Sequence, residues 1–231
     1  MDYEIGIPTH QMYLPLSTDG SGNSIAFIAS TKAGKTHALC HIMENYFKKH
    51  ISVLMTQSSQ AEIYSNFKQC VTAPMFIGKV LKDMREIQKE TSNHYHFLAI
   101  LDDVVTNAKF HPEIVKLLTI GRNSAMSAIL CVQAVTLLNS VGRTNINFVL
   151  LGKLNTDSEA EKVIKAYLNS YFPKSMKMIE KLKWYRAATA DHFFICVDTL
   201  NGHIYRTRVG DKKLPEYTGP KLSHSISQWQ Q

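Results

Sequence analysis

Eight consecutive residues, Ala29-Ser30-Thr31-Lys32-Ala33-Gly34-Lys35-Thr36, match the phosphate-binding pattern G-x-x-x-x-G-K-[ST] at every specified position but the first, where Ala29 stands for glycine. In such a loop the backbone N–H groups and the N-terminus of the following helix converge on a phosphate. Lys35 is then expected to reach the β- and γ-phosphates of ATP, Thr36 to place its hydroxyl on Mg²⁺, and Gly34 to let the backbone approach closely. Ala29 is compatible with this role provided its φ stays negative, because a methyl group is costly only in the left-handed region. Lys32 adds a second cation, which either touches a phosphate oxygen or faces solvent.

A second set of chemistry-bearing residues follows the apolar run Phe97-Leu98-Ala99-Ile100-Leu101, which ends in Asp102 and Asp103. Carboxylates at the end of a buried strand, downstream of a phosphate loop, form a Walker B pattern to match the Walker A loop. Asp102 is expected to hold Mg²⁺ and Asp103 to orient or deprotonate the attacking water. Gln133 ends the next apolar run, Ser127 to Val132, and is placed to sense the γ-phosphate. Arg122, or alternatively Arg143, could supply a planar cation to a neighbouring subunit's ATP. His37 and His41 share a helix face beside Cys40 but lack an evident third ligand, so a zinc site is not expected.

These residues need a scaffold that brings strand ends together. The run Ser24 to Ala29 has strand character, and the apolar residues Ala38, Leu39, Ile42, Met43 and Phe47 recur at helical spacing between Lys35 and Lys49. Strands are predicted at Ile51–Thr56, Phe97–Leu101, Ser127–Val132 and Asn147–Leu151, a brief extended piece at Met75–Gly78, and helices at Ala61–Phe67, Lys79–Glu90, Pro112–Gly121, Asp157–Leu168 and Lys174–Arg186. Their alternation predicts an α/β fold, a mostly parallel sheet with helices on both faces. His192–Asp198 and His203–Val209 flank Asn201-Gly202 and predict a C-terminal β-hairpin with a type I′ turn that closes the sheet. Residues 1–23 are expected to be a lead segment, 24–210 the ATPase domain and 211–231 a polar tail.

Lys and Arg number 26 against 19 Asp and Glu, a net charge of +7 that favours an anionic partner such as nucleic acid. The segment Lys174 to Arg186, with Trp184 and Tyr185 interleaved, is a candidate contact for it, and an amphipathic surface helix explains it equally well. The four cysteines are widely spaced, which favours a reducing compartment over a disulfide framework. No stretch approaches the roughly 20 apolar residues of a membrane helix, and Met1 to Leu16 lacks a signal-peptide pattern. The expectation is a protein that neither spans a membrane nor is secreted.

Taken in order, A-S-T-K-A-G-K-T, F-L-A-I-L-D-D and G-R-N-S-A-M-S-A-I-L-C-V-Q resemble the FtsK–HerA superfamily, most closely its genome-packaging ATPases of poxviruses, giant viruses and virophages. The similarity runs from Ile25 to Leu151. It implies a RecA-like P-loop ATPase in which Lys35 and Thr36 bind nucleotide and Mg²⁺, Asp102 and Asp103 support hydrolysis, Gln133 acts as sensor and Arg122 serves in trans. It further implies a homo-oligomeric ring, hexameric or pentameric, that translocates double-stranded DNA into a preformed capsid inside the host cell, with viral capsid proteins as partners. Three other functions fit the same motifs: a nucleotide-gated DNA-binding or capsid-assembly protein with little turnover, a cellular-type DNA pump or helicase, and a nucleoside or small-molecule kinase whose activity would be independent of DNA.

Overall fold

The apolar run at Ser24–Ile28 forms β2, buried at every residue, and such a strand must be covered on both faces. The computed structural model describes residues 6–16, 20–56, 70–72, 77–103, 112–138 and 140–210. In chain order these give β1 (Thr9–Gln11), β2, α1 (Lys35–Tyr46), β3 (Ile51–Thr56), β4 (Cys70–Thr72), α2 (Ile77–Glu90) and β5 (Phe97–Asp102). There follow α3 (Pro112–Ile120), β6 (Met126–Val132), α4 (Ser140–Thr144), β7 (Phe148–Leu151), α5 (Asp157–Val163), α6 (Met178–Ala188), β8 (Phe194–Asp198) and β9 (His203–Arg208). One sheet runs in the order β1-β9-β8-β7-β2-β6-β5-β3-β4.

From β7 through β2, β6, β5 and β3 to β4 every pairing is parallel, whereas β8 is antiparallel to both β7 and β9. Parallel neighbours bring their C-terminal ends to one edge of the sheet, so residues that follow β2, β5, β6 and β7 gather there. Side chains alternate between two apolar layers. Ile25, Phe27, Leu98, Ile100, Ile129 and Cys131 pack with Ala38, Leu39, Ile42 and Met43 of α1 on one face. Ala26, Ile28, Ala99, Leu101, Ala128 and Leu130 pack with residues of α2, α3, α5 and α6 on the other.

Several boundaries differ from the sequence reading. Ile77 and Gly78 belong to α2 rather than to an extended piece, and β4 was not predicted. The helix from Asp157 turns into a π-helical segment at Ile164–Leu168. The hairpin exists, but Thr199 to Gly202 form a four-residue loop in which Asn201 lacks the positive φ that a type I′ turn requires. Instead Asp198 accepts the backbone N–H groups of Leu200 and Asn201 at 3.0 and 3.1 Å. Nor does the hairpin end the sheet, because β1 pairs parallel to β9 outside it. The predicted helix Ala61–Phe67 and the tail 211–231 lie outside the described residues.

The helix expected at Lys174–Arg186 forms as α6 but turns its aromatic residues inward. Trp184 and Tyr185 are buried, the former against Phe172 with ring centroids 5.0 Å apart. Lys181 is buried too, its Nζ donating to Asn169 at 2.8 Å. These three side chains are packing elements and cannot form an aromatic stacking platform for nucleic acid.

His50 follows α1 and packs against the rings of Phe47 and His96 at 4.9 and 5.5 Å. Burial, reinforced by the charge of His96, lowers its pKa from 6.5 to about 4. The unfolded chain takes up this proton near pH 6.5 and the folded chain only near pH 4, so stability present above pH 6.5 is lost as pH falls through that window. The thermal midpoint is therefore expected to drop between pH 6.5 and 4, and His50→Gln to flatten the drop. Calorimetry across this range checks it; identical slopes for both proteins would remove His50 as the cause.

Candidate active site

The phosphate loop hangs from the sheet by backbone hydrogen bonds on both sides. Ala29 N donates to Val132 O at 3.1 Å, and Gly152 N donates to Ile28 O at 3.0 Å. Ser30 N donates to Lys153 O at 2.9 Å, while the Ser30 hydroxyl accepts from Asn155 N at 3.0 Å. Gly34 then turns at φ 91, a conformation that only glycine adopts without strain, and α1 begins at Lys35. Ala29 is fully buried and is not among the positive-φ residues, so the alanine at the first motif position carries no left-handed strain. Thr31 and Lys32 are exposed at the loop's tip, Lys32 with φ 64. Lys35 is buried, and its Nζ donates to the carbonyl oxygens of Ala29 at 2.6 Å and Ser30 at 3.0 Å.

The strand carrying Gln133, β6, lies between the loop's strand β2 and the acidic strand β5. Asp102, the last residue of β5, is buried and pairs in register with Cys131. The Cys131 thiol is pushed well above its usual pKa by burial, and the negative charges of Asp102 and Asp103 add to this while Lys35 opposes it. One buried thiol thus lies in the field of all three charged groups, which brings the loop lysine and both carboxylates to one locus. Asp103 has φ 54, and its carboxylate accepts from Gln133 Nε2 at 3.4 Å. A non-glycine residue held in this region stores strain of about 1–3 kcal/mol, the kind found at functional sites. The Asp102 carboxylate and the hydroxyl of Thr36, second residue of α1, are hard oxygen donors of the type Mg²⁺ takes alongside nucleotide phosphates.

The two arginines lie elsewhere. Arg122 is exposed in the 3₁₀ turn Gly121–Ser124 before β6, and its carbonyl accepts from Gly22 N just before β2. The length of β6, roughly 23 Å at 3.3 Å per residue, separates it from Gln133. Arg143 is half-buried in α4 near Tyr167, whose pKa burial pushes up to about 12 while the arginine opposes the rise. Thr144, Asn145 and Asn147 line, with Arg122 and Leu200, a depression of about 390 Å³ at this amino edge. Neither arginine reaches the phosphate loop of its own chain.

The sequence model described as Poxvirus A32 protein matches residues 21–207, most of the chain. The chain belongs to this family. It is an ATPase of the viral genome-packaging type. A search of curated protein sequences finds no match. Among solved structures, the A32-family chain resembles the DNA-packaging ATPase B204 from Sulfolobus turreted icosahedral virus, with TM-score 0.59, 15% identity, and 82% of this chain and 98% of that one covered. B204 from Sulfolobus turreted icosahedral virus 2, in complex with AMPPCP, gives TM-score 0.58 at 14% identity over 81% of this chain and 97% of that one. ATPases 2 and 3 of EssC from Geobacillus thermodenitrificans give TM-score 0.51 at 13% identity over 63% of this chain and 34% of that one. At such identities the likeness is one of fold.

The structure of this A32-family chain also adds residues that the motifs did not name. Gly152 follows the buried strand β7, and its carbonyl accepts from the buried Tyr185 hydroxyl at 2.7 Å. A Cβ on Gly152 would lie 2.8 Å from both Ala29 Cβ and a Phe194 ring carbon. The glycine is needed because the loop's first residue packs on it. In a single sequence it is one glycine among 11, with no spacing to mark it. Gly152→Ala is expected to destabilise the protein by about 1–3 kcal/mol through overpacking and to weaken nucleotide binding by displacing Ala29. Thermal unfolding with and without ATP measures both; parental values for each would show that the loop does not depend on this contact.

Proposed function

We propose that this chain is the subunit of a ring-shaped motor that hydrolyses ATP·Mg²⁺ to drive double-stranded DNA into a preformed viral capsid. The observation that carries the reading is the juxtaposition of Gln133 and Asp103 at 3.4 Å across from the phosphate loop, with both candidate arginines at the opposite edge. Lys35 and the loop amides hold the β- and γ-phosphates. Asp103, steadied by Gln133, orients and deprotonates the attacking water, and Gln133 registers the γ-phosphate. Thr36 and Asp102 would hold Mg²⁺, which would supply positive charge beside the phosphates.

Arg122 and Arg143 both lie away from the loop of their own chain, so either would act on a neighbour's site, and Arg122 is the more exposed of the two. This supports a closed oligomer in which one subunit's amino edge meets the next subunit's carboxyl edge, a head-to-tail arrangement that generates rings. The net charge of +7 suits a polyanion threaded through such a ring, and the capsid is its docking partner. Among the described residues no helix is long and apolar enough to cross a membrane. The motor works at the assembly site within the host cell.

Steady-state ATP hydrolysis with and without long double-stranded DNA tests this. DNA is expected to stimulate turnover, and Lys35→Ala, Asp103→Asn and Arg122→Ala each to lower it at least about a hundredfold. Mixing Arg122→Ala with Lys35→Ala subunits is expected to restore activity, since each supplies what the other lacks. Tight ATP binding without hydrolysis would make the chain a nucleotide-gated assembly protein, and no rescue on mixing would remove the trans role of Arg122.

A further inference from the structure

The turn between α6 and β8 leans over the phosphate loop, and no motif explains it. His192 lies with its Nδ1 3.3 Å, and its Cβ 3.6 Å, from the position a Cβ on Gly34 would occupy. Gly34 immediately precedes Lys35, at the end of the loop where N–H groups face a phosphate. His192 is exposed, so burial of the ring does not account for its placement.

The turn is held firmly. Asp191 and His192 both adopt left-handed backbone, with φ 53 and 60. Asp and His tolerate this region better than most residues, yet glycine would enter it freely. Phe193 N donates to Ala190 O at 3.0 Å, closing the turn. From β9, the Arg206 guanidinium lies 3.5 Å from the Phe193 ring centroid and donates to Ala188 O at 2.8 Å. Arg208 approaches the same ring at 5.0 Å. Two arginines and a strand pair therefore fix an imidazole beside the loop.

Resting on the reading of Ala29–Thr36 as the ATP loop, we propose that His192 is a nucleotide-contacting residue, donating a hydrogen bond from its imidazole to a phosphate oxygen of the bound nucleotide. The loop is thereby closed from two sides, by Lys35 from within and by His192 from the α6–β8 turn. Because Phe193 and Arg206 set the ring's place, they act as positioning residues for this contact.

Two measurements test the proposal on the full chain. The first is the dissociation constant of a fluorescent ATP analogue. His192→Ala is expected to raise it roughly tenfold, the weight of one hydrogen bond to an anion, and His192→Gln to recover part of the loss. The second is site-resolved carbethoxylation, in which ATP is expected to protect His192 and to leave the exposed His203 reactive. Parental affinity in His192→Ala together with undiminished labelling of His192 under ATP overturns the contact. Lys35→Ala separates the two levels of failure. If it abolishes binding while His192→Ala does not, only the histidine contact is lost. If neither weakens binding, the reading of the loop itself fails.

Discussion

A buried ammonium group sets the terms at the carboxyl edge of this sheet. Removing a lysine charge from water costs several kcal/mol unless hydrogen bonds and opposite charge replace the lost solvation. Lys35 receives two carbonyl oxygens from the loop that precedes it, and the carboxylates of Asp102 and Asp103 share its surroundings. Those carbonyls converge only because Ala29 and Ser30 are pinned to β6 and to the segment after β7, and because Gly34 turns back at φ 91. The loop is thus folded around its own lysine. A phosphate offers that ammonium a full negative charge in place of two dipoles, a stronger partner in the same place.

The order of strands around the loop has a second effect. With β6 between β2 and β5, the amide of Gln133 and the carboxylate of Asp103 face each other across one strand spacing. Placing the acidic strand directly beside β2 would leave no room for a polar residue between loop and acid. Among the described residues, α1 is the helix that covers this region on one face, while α2, α3, α5 and α6 share the other. Motion of α1 relative to the sheet would consequently be felt first at Lys35 and Thr36, its opening residues.

The positions of the residues proposed for phosphate chemistry were legible, because Lys35, Thr36, Asp102 and Gln133 stand at the ends of apolar runs or in a motif of fixed spacing. The buried parallel strands β2, β5 and β6 were legible as continuous apolar runs. What escaped was non-local. The pairing of β1 with β9 spans nearly the whole chain and has no local period. Gly152 and His192 owe their places to Ala29 and Gly34, partners more than a hundred residues earlier, and neither stands in a pattern of its own. The turn at Thr199–Gly202 was misjudged because Asp198 captures the backbone amides, a local competition that the Asn-Gly pair does not reveal.

Among the described residues, both margins of the sheet are strands of three residues, β1 at one side and β4 at the other. A margin this short offers another chain little unpaired backbone to zip against, which guards the protein from fusing with further copies through its sheets. Copies that associate must instead meet through side chains on loops and helices. Contacts of that kind can be made and released within one turnover, whereas a shared backbone ladder would weld neighbours into a static filament.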